Sequence, residues 1–488
     1  MRPIDAGRVK IPLGARGLTR YMKRLPHASL ASMSSDSSDA QHFSTIISER
    51  ELNRSMRLNI IAGTLGMVWM SAAIGMPLPL LMHEVKATGF QLGLLSASWQ
   101  FGMLAQLPST VLVEHLRRRK PWWAVVSVIH RLLWGVPALL PFLFPDRHDL
   151  WPMAIIAALG TSMFLGQAGS GPWQSWMADL LPPARAGRFW GIRHRSLSAS
   201  MVLAALAFGI VLDRFSAPPH GFLGFQLVFG AAAIFGTSDI LCHMGVVEPP
   251  LHPRTDGESV WERIIQPLRN REFVLLTIGM AIWTGAQAMV GYTMGLPGFF
   301  AMTYVRDAFH ATYAQASWLF MASGIGAVIW TPRIGHWIDR IGGREVALRL
   351  MAIGPLLMLV WLYASDARWS VPFLPGGESV PVPLAMMCVI SLLLGGAYAG
   401  MWVCQVRLTQ SHTTPSGRTI AMGLHWSVVG LIAALGPLAA GWIKDRLVEG
   451  SLSFGGFGGG KTGYFHVLVV LQAILAWGVA WPLIRKMR

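Results

Sequence analysis

The sequence predicts an all-α membrane protein in which twelve transmembrane helices form two repeated six-helix bundles. Three observations predict this fold class. Of the 488 residues, 53% are hydrophobic and only 13% are charged, against about 25% charged residues in a typical soluble domain. Apolar runs of about 20 residues, long enough to cross a hydrocarbon core of about 30 Å, follow one another along the chain. Short motifs of the first half also return in the second half.

Twelve apolar runs are bounded by charged residues or by Pro and Gly. We interpret all of them as helices, because a chain exposed to lipid must satisfy its backbone hydrogen bonds internally. The runs also lack the alternating pattern of a β-barrel. Called spans one to twelve below, they lie at 58–82, 90–113, 121–143, 151–178, 190–212, 222–246, 273–303, 312–334, 346–364, 383–406, 419–443 and 463–484.

Basic residues are concentrated in alternate loops and at the C-terminus, for example in RRRK at 117–120 and RKMR at 485–488. The positive-inside rule therefore predicts that both termini are cytoplasmic in a multi-pass protein of a bacterial inner membrane. The net charge of +16 is then mainly a signal of topology. We expect no nucleic-acid binding, because no soluble basic domain remains to carry it.

The first 56 residues are predicted to form a basic, Ser-rich cytoplasmic tail without the apolar core of a signal peptide. A solvated tail and contact with anionic membrane lipid both remain open for it. The three cysteines, Cys242, Cys388 and Cys404, fall inside spans, so we expect no disulfide framework. We expect no cofactor and no metal, and a monomer as the oligomeric state.

Residues 455–462 match the phosphate-binding pattern G-x-x-x-x-G-K-[ST]. They lie in the predicted outer loop between spans eleven and twelve, and only SLSF precedes them. A P-loop needs a buried strand before it and an α/β sheet around it, so the sequence predicts a Gly-rich connector. We therefore expect no nucleotide binding and exclude an ATP-driven pump.

The two halves of the chain resemble each other at an offset of about 220 to 230 residues, which predicts a parallel repeat of six helices. The matching segments are 75–79 with 295–299, 97–99 with 316–318, and 209–215 with 441–447, and the matching residues of spans four and ten are Gly166 with Gly395, Ala168 with Ala397, Gly171 with Gly400 and Trp173 with Trp402. The predicted domains are the tail 1–56, a bundle at 57–246, a cytoplasmic linker at 247–272 and a second bundle with a short tail at 273–488.

The segment GHWIDRIGGRE at 335–345, called the signature loop below, resembles the loop G-x-x-x-D-R-x-G-R-[RK] of the major facilitator superfamily. The matching residues are Gly335, Asp339, Arg340, Gly342 and Arg344. The first-half copy at 110–120 is degenerate, and Glu114 stands there in place of the Asp. The resemblance covers about 57–484 and implies an alternating-access transporter in which this loop is a gate on the inner side. An ordinary basic loop is the alternative.

Ionisable residues inside apolar spans are candidates for function, because they are costly in a membrane. Arg131 lies near the middle of span three beside His130, and Asp239 lies in span six one turn before His243. Arg131 is a candidate for binding an anionic group, and pairing with a carboxylate or with backbone carbonyls is the alternative. Asp239 and His130 are candidates for proton coupling, since an apolar environment favours the protonated carboxyl group. A structural hydrogen bond is the alternative for Asp239.

The family resemblance implies that spans one, four, seven and ten line the central path. Three of these spans carry a polar or aromatic stripe at helical spacing. The stripes are Gln167, Gly171 and Gln174; Trp283, Gln287 and Gly291; and Tyr398, Trp402 and Gln405. Such a lining suits an amphipathic or aromatic organic solute. The repeat aligns Gln174 with Val403, so the stripes of spans four and ten point in different directions and packing is the alternative for either one.

These observations favour a secondary transporter for a small organic solute, with protons as the candidate coupling ion. A non-transporting relative of the same fold, active in assembly or sensing, is the alternative. A wholly apolar central path would favour that second hypothesis.

Overall fold

The computed structural model describes residues 47–116, 118–216, 221–250, 260–293, 296–363, 368–370, 379–413, 418–453 and 460–487. Its contacts divide the chain into two units, Met1–Arg54 and Ser55–Arg488. In the first unit, Glu51 accepts hydrogen bonds from the backbone and hydroxyl of Ser48 at the start of a helix. The second unit contains all twelve predicted spans. Most of the P-loop-like segment lies outside the described residues, and a helix begins at Gly460.

The N-terminal half contains six helical spans in the predicted order. Spans five and six are single helices, span four follows a short 3-10 turn, and spans one, two and three are each divided into consecutive helical segments. The bounds are Glu49–Ala73 and Pro77–Glu84; Gly89–Gly102, Met103–Ala105 and Gln106–Leu116; Lys120–Leu132, Leu133–Gly135 and Val136–Leu143; His148–Leu150 and Trp151–Leu180; Pro183–Phe215; and Leu223–His243.

The C-terminal half repeats this order after a short linker helix, Val260–Arg269. Two antiparallel strand pairs occur in its loops, Tyr292–Thr293 with Leu296–Pro297 and Arg368–Ser370 with Ser379–Pro381. The helices of spans seven to twelve are Arg271–Met289 and Phe299–Phe309; Tyr313–Ile341; Gly343–Leu359 and Val360–Tyr363; Val382–Ser411; Arg418–Ala433 and Leu435–Val448; and Gly460–Leu475, the π-helical Ala476–Ala480 and Trp481–Arg485.

Ten helices of the described residues are long and apolar enough to cross a membrane. The other two predicted spans, two and eight, are helical but less apolar. Span two packs on span eleven, and span eight packs on spans five and ten. The twelve-helix, six-plus-six fold is confirmed.

Spans one and seven are interrupted at repeat-related positions, where the sequence predicts continuous helices. In span one the helix ends at Ala73 and a new helix begins at Pro77, which has no backbone N–H to donate into the preceding turn. In span seven the helix ends at Met289, and Gly291 adopts a φ of 82° that favours glycine. The two interruptions coincide with the segments GMPLP and GLPGF, so the repeated motifs mark helix breaks.

Glycines allow neighbouring helices to approach closely within each half. A Cβ atom on Gly166 of span four would lie 2.8 Å from the ring of His130 in span three. A Cβ atom on the repeat-related Gly395 of span ten would collide with the backbone oxygen of Ser323 in span eight. The residues shared by spans four and ten therefore include glycines required by helix packing.

Candidate functional site

An ion pair lies inside the N-terminal half and joins two residues predicted separately from the sequence. The Arg131 guanidinium donates to the Asp239 carboxylate at 3.1 Å, and both side chains are about nine-tenths buried. Arg131 also contacts the Nε2 atom of His130 at 2.8 Å. The second ring nitrogen of His130 lies 2.7 Å from the hydroxyl of Ser162 in span four. The structure therefore connects spans three, four and six through one polar network.

Two glycines leave space for this network, and a tryptophan packs against it. A Cβ atom on Gly66 of span one would lie 2.5 Å from the Asp239 carboxylate, and one on Gly236 of span six would lie 2.7 Å from the Arg131 side chain. The Arg131 guanidinium lies 3.5 Å from the ring centre of Trp69, a cation–π contact that accompanies the ion pair. Span one carries no charge of its own but forms a wall of the site.

Arg193 of span five is a second cation in this half and was not singled out from the sequence. Its Nε donates to the Asn59 side-chain oxygen at 2.7 Å, and its guanidinium lies 5.2 Å and 5.4 Å from the rings of Trp173 and Trp190. The indole of Trp173 in turn donates to His243 at 3.0 Å. The signal in the sequence was an Arg three residues into a predicted span, within the segment WGIRHR.

The two predicted glutamines of span four have different surroundings. Gln167 accepts a hydrogen bond of 2.7 Å from Gln106 of span two. Gln174 lies two turns further along the helix and is exposed. Helical spacing placed them on one stripe, and the structure gives one of them a partner in span two and leaves the other on an open surface.

Three predicted path residues of the C-terminal half lie inside its bundle. Gln287 of span seven accepts hydrogen bonds from the Tyr398 hydroxyl of span ten and from the Gln472 amide of span twelve. Trp283 is 4% exposed, and a Cβ on Gly354 of span nine would lie 3.1 Å from its ring. The cluster therefore connects spans seven, nine, ten and twelve within one half.

The other two residues of the span ten stripe are separate from that cluster. Gln405 contacts the Nε2 atom of His425 at 2.9 Å, and the other ring nitrogen of His425 contacts the Thr277 hydroxyl at 2.9 Å. Trp402 is 53% exposed. The stripe on span ten thus contains two buried polar contacts and one open aromatic surface.

The signature loop contacts its own half of the chain. Asp339 forms an ion pair with Arg407 at the end of span ten, and both side chains are more than half exposed. Arg344 donates to the backbone oxygens of Ile484 and Arg485 at the end of span twelve. Gly342 adopts a φ of 88° between spans eight and nine, a conformation that explains the glycine.

Two further signature-loop residues have a known placement. Arg340 is exposed on the last turn of span eight, and a Cβ placed on Gly335 has no atom of the described residues within 4 Å. Among the described residues, no neighbouring helix therefore lies close to Gly335. The side chain of Glu114, in the first-half copy, lies outside the described part of the chain.

Arg119 occupies the position in the first-half copy that corresponds to Arg344. Its side chain is fully buried and pairs with Asp179 of span four, and its guanidinium donates to the Pro249 backbone oxygen at 2.9 Å. Its backbone N–H donates to Glu248. Both arginines therefore bind the chain at the end of the sixth helix of their own half. The basic run at 117–120 was interpreted only as a topology signal.

Two repeat-related contacts join the halves at the end of the bundle where spans two and eight begin. We call this the outer end, after the predicted topology. Asp445 of span eleven accepts the backbone N–H groups of Gly89 and Phe90 at the start of span two. Asp213 of span five accepts those of Tyr313 and Ala314 at the start of span eight, each at 2.8 Å. Each aspartate with its two hydrogen bonds is called an outer latch below.

Other contacts at the outer end reinforce the two latches. His83 of span one contacts Asp307 of span seven at 2.7 Å, and the Tyr313 hydroxyl donates to Glu84 at 3.2 Å. A small cavity lies beneath them, lined by Ser96 and by mainly apolar residues of spans one, two, four and seven, among them Trp99 and Phe299. The outer end is therefore closed by contacts between the halves.

Comparison with known proteins gives the family and the fold. The model of the Major Facilitator Superfamily matches residues 58–303 and 285–459. The "Uncharacterized MFS-type transporter Rv2994" of Mycobacterium tuberculosis is 23% identical over 285 residues, which are 57% of each chain. The chain thus spans about 57% of the length of the curated relatives it matches.

Solved structures resemble this fold over almost the whole chain. A variant of the nucleoside transporter NupG has a TM-score of 0.67 at 12% identity and covers 89% of this chain and 100% of its own. A bacterial homologue of the iron transporter ferroportin has a TM-score of 0.63 at 13% identity, covering 90% and 99%. With the family model matching most of the described spans, the chain belongs to the Major Facilitator Superfamily.

Proposed function

We propose that this protein is a secondary transporter that moves a small organic solute across a bacterial inner membrane by alternating access. The observation that best supports this proposal is the pair of outer latches, because each latch uses one carboxylate to cap a helix of the opposite half. Such contacts lie at helix ends and break without disturbing the core of either half. The relatives named MFS-type transporters support the same activity.

The ionic contacts at the inner end support an alternating cycle in a second way. Asp339 pairs with Arg407, and Arg119 pairs with Asp179, so each pair belongs to a single half. Contacts within a half keep the bundle rigid while the halves move. In the opposite conformation, Asp339 at its helix end is available for a partner in the other half, which is the gate role proposed for the signature loop.

The residues proposed for substrate and coupling fall into three groups. Gln174 and Trp402 have open surfaces and are proposed for the substrate path, together with Gln167 and Gln405 next to it. Trp283, Gln287 and Tyr398 are buried in the C-terminal bundle and shape the path from behind. The third group of predicted residues, Arg131, Asp239 and His130, forms one network, and this network is the proposed site of proton coupling.

The orientation and partners follow from the charge distribution. Both termini and the signature loop are proposed to face the cytoplasm, since basic residues cluster on that side. The tail, the first bundle and the linker are proposed to end at residues 56, 246 and 272, as the sequence predicts. The protein is proposed to act as a monomer among membrane lipids, without a nucleotide or nucleic acid.

The proposal is tested in two stages. Purified protein is screened by thermal unfolding against metabolites and drugs, where a ligand at 100 times its dissociation constant adds about 2.7 kcal/mol of stability. Each hit is then tested for counterflow in proteoliposomes, with Arg131→Ala and Gln287→Ala as site variants. Arg147→Gln serves as the control, because Arg147 forms its ion pair with Asp149 in an exposed loop, away from the proposed sites.

We expect a hit that exchanges across the membrane and whose effect is lost in the site variants but not in Arg147→Gln. Hits that bind without crossing the membrane would favour the assembly or sensing alternative. A screen without hits, together with proteins that co-purify in fixed amounts, would contradict the transporter proposal.

A further inference from the structure

Two arginines of the N-terminal half adjoin span one, and among the described residues only the first is bonded to a carboxylate. Arg131 and Arg193 both lie between its spans, and Asp239 is bonded to Arg131. Among the residues that the structure describes, Arg193 forms no ion pair within 4 Å. A charge within a membrane protein is costly unless it is compensated, so the surroundings of Arg193 favour an anion.

The Arg193 side chain is turned away from the inner surface. Its Nε is bonded to Asn59, and its terminal nitrogen lies over Gly63, one helical turn further from the inner end of span one. A Cβ on Gly63 would lie 3.0 Å from that nitrogen. A long basic side chain that merely seeks water would extend toward the inner interface, and this geometry is the opposite.

The terminal nitrogens of Arg193 have no hydrogen-bond acceptor among the described residues, and they are not sealed inside the protein. Two indole rings stand beside them at 5.2 Å and 5.4 Å, those of Trp173 and Trp190. His243 fixes the ring of Trp173 through its indole N–H, and Trp190 is 38% exposed. The terminal nitrogens of Arg193 therefore lie beside the ring of Trp173, which is held by His243, and beside the partly exposed ring of Trp190.

We propose that Arg193, Trp173 and Trp190 form a binding site for an organic anion with an apolar or aromatic body. The guanidinium donates to the carboxylate or another oxyanion of the solute in a bidentate manner. The two indoles cover its body. This inference rests on the proposed transport function, because it assigns a substrate class to the proposed transporter.

The test uses matched probes on the full-length protein in nanodiscs. Phenylacetate, phenylacetamide and phenethylamine share one body and differ in charge, and hexanoate with hexanamide and indole-3-acetate with indole-3-acetamide extend the series. Binding is followed by thermal unfolding and by tryptophan fluorescence. We expect at least one carboxylate to bind roughly ten- to hundredfold more tightly than its amide, as charge-assisted hydrogen bonds predict.

Three variants locate the site. Arg193→Gln should remove the preference for the carboxylate, because the amide that replaces the guanidinium carries no charge. Arg193→Lys should retain part of the preference, since it keeps the charge but not the planar fork. Arg195→Gln is the matched control, because Arg195 is exposed on the same helix, and it should change nothing.

The outcomes separate the site from the transport function. If no carboxylate is preferred over its amide, or if Arg193→Gln keeps the preference, the anion site is wrong. Counterflow of a neutral or cationic solute that is unaffected by Arg193→Gln also overturns the site but leaves transport intact. If carboxylates bind at Arg193 but no counterflow is observed, the anion site is supported and the proposed transport function is contradicted.

Discussion

Asp213 and Asp445 make the same contact in the two halves of the chain, because each carboxylate accepts two backbone N–H groups at the start of a helix in the opposite half. The capped helices also begin alike. Thr88 with Gln91 and Thr312 with Gln315 each form a capping box. The contact is therefore a property of the repeat, and it occurs twice around the central axis.

Removing both aspartates should open the outer end. Loss of a helix-capping side chain costs about 1 to 2 kcal/mol, so Asp213→Ala with Asp445→Ala should shift the equilibrium away from the closed outer end by more than either change alone. The measurement is the rate at which a membrane-impermeant maleimide labels Ser96→Cys, a lining residue of the cavity beneath the latches. The three native cysteines, Cys242, Cys388 and Cys404, are replaced by alanine in all proteins of this experiment, so that only Ser96→Cys is labelled.

The control for the outer latches is Asp149→Ala, which removes a carboxylate from an exposed loop pair. It should leave the labelling rate unchanged. Equal rates in the double variant and the parent protein would show that the two aspartates do not close the outer end.

Breaking the Arg131–Asp239 pair from one side should destabilise the protein more than removing both charges. Asp239→Asn leaves a buried guanidinium without its carboxylate, and the loss expected for such a change is about 3 kcal/mol. Arg131→Gln with Asp239→Asn should recover most of that loss. Unfolding of the single and double variants in detergent measures the coupling, and additive effects would contradict it. If the pair couples protons, Asp239→Asn should also abolish uptake driven by a pH gradient.

Gly66 should tolerate no side chain, although it lies in the middle of a helix where alanine is normally favoured. Its Cβ would lie 2.5 Å from the Asp239 carboxylate, within the ion pair. Gly66→Ala should therefore lower the melting temperature and impair transport. Gly230→Ala, in the same span as Asp239, places its Cβ more than 4 Å from the other atoms of the described residues and should be neutral or stabilising by up to about 1 kcal/mol. Similar melting temperatures for the two variants would contradict this explanation.

The sequence predicts the fold well because each span must be apolar and helical on its own. Length and composition of a run therefore reveal a helix without knowledge of its neighbours. Helix breaks are less visible: GMPLP and GLPGF were recognised as repeats, and their Pro and Gly interrupt spans one and seven. The repeat of the two segments was therefore recognised, whereas the prediction of a continuous helix through each segment was wrong.

Partners of individual residues are the part that the sequence does not predict. Arg131 and Asp239 are 108 residues apart, and only the packing of spans three and six brings them together. Helical spacing grouped Gln287 with the central path, yet its side chain contacts span twelve. Arg193 and Arg119 looked like members of basic segments, because burial depends on tertiary packing and not on local composition.

Arg119 and Arg407 should differ strongly in their contribution to stability, although both pair with an aspartate at the same end of the bundle. Arg119 is fully buried and binds Asp179 and the Pro249 oxygen, so Arg119→Gln should cost about 3 kcal/mol. Arg407 and Asp339 are 58% and 61% exposed, and solvent screening limits Arg407→Gln to less than about 1 kcal/mol. Denaturant unfolding in one detergent compares the two variants. An equal loss in both would show that burial of Arg119 does not stabilise the inner end, whereas a selective loss in transport for Arg407→Gln would assign the signature loop to gating.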